Sequence, residues 1–506
     1  MSNVNINRRL ILSAAKPTDT TVDNKQAFLV IGDSTSAGSN NNTGNGPSPV
    51  SGTAYYYRRS TTDIVQISTD IVAAPLGTQY PQFCTDYFNG SGKKAVIIPT
   101  GFGGSNFAVR TGESGNWSTT GTLYALAVTD AMNALSILGL TKLKCIFISS
   151  LGINDARGTT SLAQIQSDMV SLITRLRTDF PGVPIMIEQI GRSEVASLNA
   201  RIGTIRGYLK DIALTYNDVY LMGGILSCIS SGGYGADNLH PSQTGNNNRG
   251  AMYARWMLNS SYSKWSRSII SSMYDELSVA RKGLIENFIT NNLTDYLEHD
   301  FLQIYKTTTI NNLFNDWCFL NSPINSGVTF TANDSISTNG TSTYFRTGQQ
   351  KSFNQKKGTT TDNFEGFRIK TNGEAGTVLK YAFGATDTLE QLVLAHANVA
   401  GLVHRNNDLT LTIDLTENKF ANSSEYLACR NGTTKSLYKN GSLVSSVTQA
   451  AIGDLAAGTY VGAANNNNTG ILGYFTGSFE YARGGKFSTI NHATFKTALN
   501  TLLTSW

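Results

Sequence analysis

The spacing of apolar and polar residues predicts an α/β fold for the first half of the chain. Short apolar runs typical of buried strands lie near residues 27–32, 95–100, 145–151, 184–190 and 219–223. Segments with a helical pattern lie between them, near residues 122–138, 161–179 and 194–214. Strands that alternate with helices form a parallel sheet with helices on both faces. We therefore predict an α/β domain over residues 27–260, after an N-terminal arm of residues 1–26.

One stretch inside this domain lacks a clear period. Residues 43–78 contain three consecutive tyrosines at positions 55–57 and little regular spacing. Long segments of this kind often form active-site loops, because loops carry binding residues on a rigid scaffold. The stretch is predicted to be a long active-site loop, with a surface insertion of no functional role as the alternative.

The pattern changes over residues 261–305, which are predicted to form a helical linker. Apolar residues recur there at the spacing of a heptad repeat: Ile270, Met273, Leu277, Ala280 and Leu284. Such a stripe fits a short coiled coil that joins three copies of the chain into a homotrimer. It fits equally a single amphipathic helix that packs on the α/β domain.

From residue 306 onward the pattern is typical of an all-β sandwich. Alternating apolar and polar runs, such as residues 377–383 and 409–415, are separated by Asn-Gly pairs, which favour tight hairpin turns. These pairs begin at four positions: Asn339, Asn372, Asn431 and Asn440. The last segment, residues 493–506, is predicted to be a terminal helix.

The small net charge of the chain argues against two classes of binding partner. The 506 residues carry 40 Lys and Arg against 35 Asp and Glu, a formal net charge of +5, so neither nucleic acid nor an anionic membrane is indicated. No stretch is long and apolar enough to cross a membrane. The N-terminus lacks the apolar region of a signal peptide, which predicts a protein made in the cytoplasm and not exported by the usual route.

The cysteines indicate neither disulfides nor a metal. There are five, widely spaced and without a C-x-x-C pair, so no disulfide framework or zinc site is expected. No clustered carboxylates predict a calcium site in the sandwich. We expect no metal and no other cofactor.

The first candidate for chemistry is Ser34. It follows the apolar run at residues 27–31 through Gly32 and Asp33, and so lies where a buried strand ends. Open α/β folds bind ligands at the carboxyl edge of their sheet, which makes the Ser34 hydroxyl a candidate nucleophile. The alternative is an ordinary turn, since Gly, Asp and Ser are common turn residues.

A candidate base is found almost by elimination. Of the five histidines, only His240 precedes residue 299, and Asp237 lies three residues before it in a loop. An Asp so placed can accept a hydrogen bond from Nδ1 and leave Nε2 to take the proton from Ser34. The alternative is a loop histidine packed under its own turn.

Two further strand ends offer hydrogen-bond donors. Gly103 and Gly104 follow the strand near 95–100, and a glycine there lets a backbone N–H approach a developing oxyanion. Asn154 follows the strand near 145–151, and its side-chain amide is an uncharged donor suited to the same task. Each could equally belong to an ordinary βα loop, where Gly and Asn are frequent.

The order of these residues resembles a known superfamily. Residues 27–258 are similar to the SGNH hydrolases (GDSL-type esterases), whose four sequence blocks match Ser34, Gly104, Asn154 and His240 in order. The resemblance implies that Ser34 is the nucleophile and donates the first oxyanion hydrogen bond through its N–H. It implies that the Gly104 N–H and the Asn154 amide complete the oxyanion hole. Asp237 and His240 would then be the acid and the base.

The chain departs from the family pattern at two places. Thr35 stands where Leu is usual, at a structural position. Gly103, Gly104 and Ser105 stand where many members have Gly-Asp-Thr, a form more similar to the sialate O-acetylesterase and acetylxylan esterase branch. That form implies acetylated sugars as substrates. Gly103 remains the alternative donor to Gly104.

The C-terminal region resembles a second family. Residues 436–444, with a Tyr-x-Asn-Gly hairpin, and the later runs 460–464 and 477–481 are similar to laminin-G or concanavalin-A-like sandwiches. The resemblance covers about residues 310–490 and implies a module that binds glycans or acts as a spacer. Fold alone does not decide between them.

The combined architecture resembles a bacteriophage tail-fibre or tailspike protein. Such a protein is released by lysis and meets host glycans as part of a virion, which accounts for an esterase without a signal peptide. The resemblance implies acetylated polysaccharide and other virion tail proteins as partners. Three function classes follow: a carbohydrate O-acetylesterase, a glycan- or receptor-binding protein with an idle hydrolase domain, and a structural virion component.

Overall fold

The computed structural model describes most of the α/β region and the principal strands of the C-terminal region. The described residues are 24–37, 47–67, 78–109, 115–191, 196–223, 240–307, 317–318, 324–332, 334–339, 341–346, 359, 361–372, 380–386, 391–397, 401–406, 412–414, 420–448, 460–461, 464–466, 470–472, 474 and 476–506. They form two compact units. The first holds the described residues up to Ile190 together with 212–221 and 240–259, and the second holds the rest.

The first unit is built on a seven-stranded sheet. Its strands are β1 (Lys25–Gly32), β2 (Ala54–Arg58), β3 (Asp63–Gln66), β4 (Lys94–Pro99), β5 (Cys145–Ser149), β6 (Ile185–Glu188) and β7 (Val219–Met222). They lie in the order β3-β2-β4-β1-β5-β6-β7. The strands from β2 to β6 along this order pair in parallel, and β3 pairs with β2 in antiparallel fashion.

Helices alternate with these strands along the chain. They are α1 (Ser34–Ala37), α2 (Tyr80–Ser91), α3 (Leu123–Leu138), α4 (Ile153–Arg157), α5 (Leu162–Asp179), α6 (Ala196–Thr215) and α7 (Gln243–Leu258). The five predicted strands and three predicted helices of this region are confirmed to within a few residues. The predicted α/β class is therefore confirmed, and the predicted parallel pairing holds from β2 to β6, with an antiparallel edge at β3.

The central strands form because their residues are apolar on both faces. Phe28, in the middle of β1, is fully buried, as both faces of a parallel sheet require when helices cover it. Its ring packs edge-on against Phe83 of α2, with centroids 5.1 Å apart, and stacks on Phe147 of β5 at 5.8 Å. These contacts fix β1 and β5 side by side, and their carboxyl ends therefore lie next to each other.

The predicted loop over residues 43–78 is wrong for residues 54–66, whereas residues 47–53 are a loop. Ala54–Arg58 and Asp63–Gln66 pair as a hairpin at the edge of the sheet, and Tyr56 pairs in register with Ile97 of β4. The tyrosines explain the difference, because aromatic side chains suit a half-buried strand. Residues 68–77 lie outside the described residues.

The strand order reverses beside β1. Apart from the β2–β3 hairpin, the sheet runs β4-β1-β5-β6-β7, so the chain moves from β1 to one side and then returns to add β5 on the other. Ligands of open α/β sheets bind where the order reverses in this way, outside the carboxyl ends of the strands. Here that point lies between the ends of β1 and β5.

The second unit contains two largely antiparallel sheets. Its strands are β8 (His299–Ile304), β9 (Ile324–Ser326), β10 (Thr329–Thr331), β11 (Ser335–Asn339), β12 (Tyr344–Arg346), β13 (Asp362–Asn372), β14 (Lys380–Thr386), β15 (Gln391–Ala397), β16 (Gly401–Asn406), β17 (Thr412–Asp414), β18 (Ser424–Asn431), β19 (Thr434–Lys439), β20 (Ser442–Thr448), β21 (Tyr460–Val461), β22 (Ala464–Asn466), β23 (Gly470–Leu472) and β24 (Thr476–Gly485). One sheet has the order β10-β11-β24-β13-β18-β19-β20 with β8 paired to β24, and the other β17-β16-β15-β14-β21-β12-β9 with β22 and β23 attached.

One hydrophobic core joins the two sheets. Phe367 and Tyr426 of the first sheet belong to the same buried cluster as Phe345 and Val461 of the second. The predicted all-β sandwich is therefore confirmed as a fold class.

Two of the Asn-Gly hairpins are fully described. Asn440 and Gly441 connect β19 to β20 as a two-residue loop, and both have positive φ, 53° and 85°. A type I′ turn needs that geometry. The pair at Asn431 lies at the β18–β19 hairpin, where Gly432 has a φ of 61°. Both predicted hairpins are confirmed.

The predicted heptad helix is wrong. The chain forms α8 (Lys264–Ser272) and, after a break, α9 (Val279–Asn291), followed by α10 (Leu293–Leu297). Ser278 begins the new helix because its hydroxyl accepts a hydrogen bond from the Arg281 N–H. Met273 and Leu277 lie in the break, and both are buried within the chain, whereas Ala280 is exposed. A continuous seam for a trimer is therefore not formed by this segment.

The second unit's sheet begins with a strand before residue 306, and its chain ends in a helix. The strand His299–Ile304 pairs with β24, although it precedes the predicted sandwich boundary at residue 306. The terminal helix is confirmed as α11 (His492–Ser505).

The described residues contain no candidate membrane span and no candidate metal site. Among them, no helix is long and apolar enough to cross a membrane, and no group of three or more His, Cys, Asp or Glu side chains is placed to hold a metal ion. Cys84, Cys145, Cys318 and Cys429 are buried thiols. Cys228 lies outside the described residues.

Candidate active site

The end of β1 is shaped by a close approach of β5. A Cβ on Gly32 would lie 2.7 Å from the Ser149 carbonyl oxygen and 2.3 Å from Ser36 Oγ. Only glycine fits at that point. The chain then turns directly into α1, whose first residue is Ser34.

Asp33 stabilises this turn through hydrogen bonds. It is fully buried, and its Oδ1 accepts hydrogen bonds from the Thr35 N–H at 2.9 Å and the Thr35 hydroxyl at 2.8 Å. Its backbone oxygen accepts from the N–H groups of Ser36 and Ala37. Burial raises the pKa of the Asp33 carboxyl to about 6, against the hydrogen bonds from Thr35, which lower it. The sequence reasoning gave Asp33 no role.

Ser34 and His240 meet as predicted. Ser34 Oγ lies 2.7 Å from His240 Nε2, with Ser34 partly buried and His240 8% exposed. His240 comes just before Ser242, whose hydroxyl accepts from the Gly245 N–H and caps α7. The predicted partner Asp237 lies outside the described residues. The contact between Ser34 and His240 is therefore formed, with the histidine just before the start of a helix.

The glycine-rich turn after β4 is bonded to the end of β1. The Phe102 N–H and the Ser105 hydroxyl both donate to the Gly32 carbonyl, at 3.0 and 3.2 Å. Gly104, between them, has a φ of +75°, which favours glycine. Its carbonyl accepts from the Asn106 side chain at 3.2 Å. The turn that carries Gly104 therefore adjoins the residues just before Ser34.

Asn154 is bonded to the same turn. It lies in the short helix α4 after β5, and its Nδ2 donates to the Ser105 carbonyl at 3.1 Å. That bond orients the side-chain amide beside the residue that follows Gly104. The structure thus connects Gly104 and Asn154 through Ser105, and connects Ser105 to the end of β1.

Asp155 is a further residue that sequence reasoning missed. Its two carboxylate oxygens accept the N–H groups of Phe107 and Ala108, at 2.9 and 3.1 Å. Burial raises the pKa of Asp155 to about 7, although these hydrogen bonds lower it. Its position directly after Asn154 was the only signal in the sequence. The Asp155 carboxylate therefore holds Phe107 and Ala108, which follow the glycine-rich turn, in place.

Three backbone donors around the serine make no hydrogen bond within the part of the chain that the structure describes. They are the N–H groups of Ser34, Gly103 and Gly104. All three residues are only partly buried. With the oriented Asn154 amide, the arrangement offers a hydroxyl, a base and several donors, the set that acyl transfer needs.

Comparisons with known proteins leave the family open. No protein-family model matches the chain, and no curated protein matches it. Among solved structures, an Arabidopsis thaliana protein is 15% identical with a TM-score of 0.34, covering 46% of this chain and 98% of that one. Trypanosoma rangeli sialidase is 9% identical with a TM-score of 0.31, covering 44% of this chain and 40% of that one.

Another solved structure is similar at the same low level. Domain 4 of an extracellular arabinanase from Geobacillus stearothermophilus, in complex with arabinotriose, is 13% identical with a TM-score of 0.28. It covers 40% of this chain and 98% of that one. Similarities this weak do not bear on what the chain does.

Proposed function

We propose that the first unit is a serine esterase of the SGNH type, with Ser34 as nucleophile and His240 as general base. The observation that carries the proposal is the 2.7 Å contact between Ser34 Oγ and His240 Nε2. A hydroxyl is a weak nucleophile unless an adjacent base takes its proton as it attacks. The contact has the length and the partners for that transfer.

The proposed reaction has two halves. Ser34 Oγ attacks the ester carbonyl while its proton passes to His240 Nε2, and a tetrahedral intermediate forms. The intermediate collapses, the C–O bond to the alcohol breaks, and His240 returns the proton to the leaving oxygen. Water then attacks the acyl-Ser34 ester with the same base, and the carboxylic acid is released.

The negative oxygen of the intermediate is assigned to three donors. These are the N–H groups of Ser34 and Gly104 and the side-chain amide of Asn154. Fixed donors at the place where charge develops stabilise the transition state more than the ground state. The support is that both N–H groups make no other hydrogen bond among the described residues and that Ser105 orients the amide.

The test of this function uses a simple ester and a covalent probe. Wild-type protein should hydrolyse p-nitrophenyl acetate and react with a fluorophosphonate, with the added mass on the peptide that contains Ser34. Ser34→Ala should do neither. A wild type that hydrolyses no ester and takes up no phosphonate overturns the proposal.

For the substrate we propose acetyl esters of polysaccharide. The support is the Gly103–Gly104–Ser105 form of the turn, which resembles the acetylesterase branch. Acetate release from acetylated polysaccharide, together with slow turnover of p-nitrophenyl octanoate, is the expected result. Faster turnover of the octanoate than of the acetate would instead assign a lipid ester. Location in a virion fibre stays a prediction.

A further inference from the structure

Arg249 connects its own helix to two of the segments that form the candidate site. It lies on α7, it is fully buried, and its Nη1 donates to the Thr35 carbonyl at 3.0 Å. Its Nη2 donates to the Ser149 hydroxyl at 2.7 Å. One planar guanidinium therefore bridges the turn after β1 and the end of β5, from a helix that starts just after His240.

Each contact lies next to a site residue. Thr35 directly follows Ser34, and Ser149 is the last residue of β5, from which the chain continues to Asn154. Resting on the function proposed for Ser34, we propose that Arg249 is a positioning residue. It sets where the nucleophile, the oxyanion amide and the histidine lie relative to one another.

Arg249 is held in place by a buried ion pair with Glu188. Glu188, at the end of β6, accepts from Arg249 Nε at 3.1 Å and from Nη2 at 2.8 Å, and the Tyr253 hydroxyl donates to it at 2.7 Å. Arg249 and Glu188 side chains are both 0% exposed. Burial alone would lower the Arg249 pKa, but Glu188 raises it above its ordinary value, so Arg249 stays charged.

Stability alone does not explain such a pair. Two buried charges must give up their hydration, and replacing a buried ion pair by apolar residues of similar volume is often neutral or stabilising. The planar guanidinium of an arginine, however, donates to several acceptors at once and so fixes their relative positions, which an apolar side chain cannot do. Arg249 fixes the Thr35 carbonyl and the Ser149 hydroxyl in this way.

The second unit supplies a matched control. There Arg483 Nε donates to Glu425 Oε1 at 2.7 Å, and the Tyr481 hydroxyl donates to the same oxygen at 2.9 Å. Both charged side chains are again 0% exposed. The set has the same three residue types and the same burial, and it contains no candidate site residue.

The experiment compares two triple variants of the full chain. The first is Glu188→Met, Tyr253→Phe and Arg249→Met, and the control is Glu425→Met, Tyr481→Phe and Arg483→Met. Each triple variant removes the arginine together with its glutamate and tyrosine, so neither leaves one member of the ion pair buried without the other. Hydrolysis of p-nitrophenyl acetate is measured per folded molecule, with the folded fraction taken from near-UV circular dichroism.

A positioning role predicts a specific split in the kinetic constants. In the Arg249 set, kcat should fall about 100-fold, the scale of a 1 Å misplacement, while KM changes little. In the Arg483 set, kcat and KM should both stay near wild type. Arg249→Lys keeps the charge opposite Glu188 but not the fork, so its kcat should lie between wild type and the triple variant.

The outcomes separate the inference from the proposed function. If wild type hydrolyses the ester, Ser34→Ala does not, and the Arg249 set keeps its kcat, Arg249 does not position the site. Equal kcat losses in both triple sets also overturn the inference. If a triple variant does not fold, the kcat of Arg249→Lys decides, and a wild-type value rejects the role. A wild type without esterase activity rejects the proposed function instead.

Discussion

Ser34 Oγ and His240 Nε2 lie 2.7 Å apart, although 206 residues separate them in the chain. The serine is placed by β1, which ends at Gly32, where β5 passes too close for any side chain. The histidine is placed by α7, which begins at Gln243. Their contact therefore depends on how one helix packs against the carboxyl end of the sheet.

Ser34→Ala should abolish hydrolysis of p-nitrophenyl acetate and leave the melting temperature nearly unchanged. The Ser34 side chain is partly exposed and its one side-chain hydrogen bond is to His240, so little stability depends on it. Ester turnover and thermal unfolding measure the two effects. Ser136→Ala, at an exposed position of α3, is the control and should stay fully active. Wild-type turnover in Ser34→Ala would remove Ser34 from the mechanism.

Asn154→Ala should lower kcat by about 100-fold or more, with little change in KM. The amide is proposed to bind the oxygen that becomes negative during the reaction, not the ground-state ester. Steady-state kinetics with p-nitrophenyl acetate check this. If KM rises while kcat stays constant, Asn154 binds the substrate and does not belong to the oxyanion hole.

Gly32→Ala should be strongly destabilising. The new Cβ would collide with the Ser149 carbonyl oxygen at 2.7 Å, so the cost should reach the upper end of the about 1–3 kcal/mol typical of overpacking. Gly103→Ala is the matched control, because a Cβ there meets nothing within 4 Å. Chemical denaturation gives both free energies of unfolding. Equal values for the two variants would contradict the close approach of β5 to Gly32.

Asp33→Asn should gain stability relative to wild type as the pH rises. Burial raises the pKa of Asp33 from 3.8 to about 6 in the folded chain, so the folded state binds a proton more tightly than the unfolded state. The resulting stability is present below about pH 4 and is lost as the pH rises through 6. The loss corresponds to about 3 kcal/mol.

An uncharged Asn has no such loss. Denaturation curves of wild type and Asp33→Asn at pH 5 and pH 8 measure the difference directly. The free energy of unfolding of Asp33→Asn should rise relative to that of wild type between pH 5 and pH 8. A difference in the free energy of unfolding that is the same at both pH values would show that Asp33 does not carry the shifted pKa.

His492→Gln should reduce the acid sensitivity of the second unit. Burial, and then the charge of Arg483, lower the pKa of His492 from 6.5 to about 3. The unfolded state therefore binds the proton more tightly, and stability is lost as the pH falls below 6.5 toward 3. Between pH 6.5 and 5 the loss is about 2 kcal/mol.

The variant keeps a donor for the Phe487 carbonyl, which lies 3.2 Å from His492 Nε2, but the new side chain does not titrate. Burial also lowers the pKa of His299 well below its usual range, so His299 retains its own share of the acid sensitivity in both proteins. Unfolding of wild type and His492→Gln at pH 7 and pH 5 is compared. Parallel losses in the two proteins would assign the acid sensitivity to other groups.

The sequence by itself determined the features that depend on local pattern. Apolar runs and helical spacing predicted β1, β4 to β7, α3, α5 and α6, because a buried strand or an amphipathic helix needs those residues whatever surrounds it. Asn440 and Gly441 predicted a hairpin because both positions need a positive φ. Ser34 and His240 could be paired because few histidines offered an alternative.

Only the tertiary structure decided the features that depend on distant segments. The hairpin of β2 and β3 exists because it pairs with β4, and the heptad stripe fails because Ser278 starts a second helix and Leu277 is buried within the chain. Arg249 looks like an ordinary helix residue in the sequence. Its contacts with Thr35 and Ser149 arise when α7 packs on the sheet, and such contacts have no period along the chain from which they could be read.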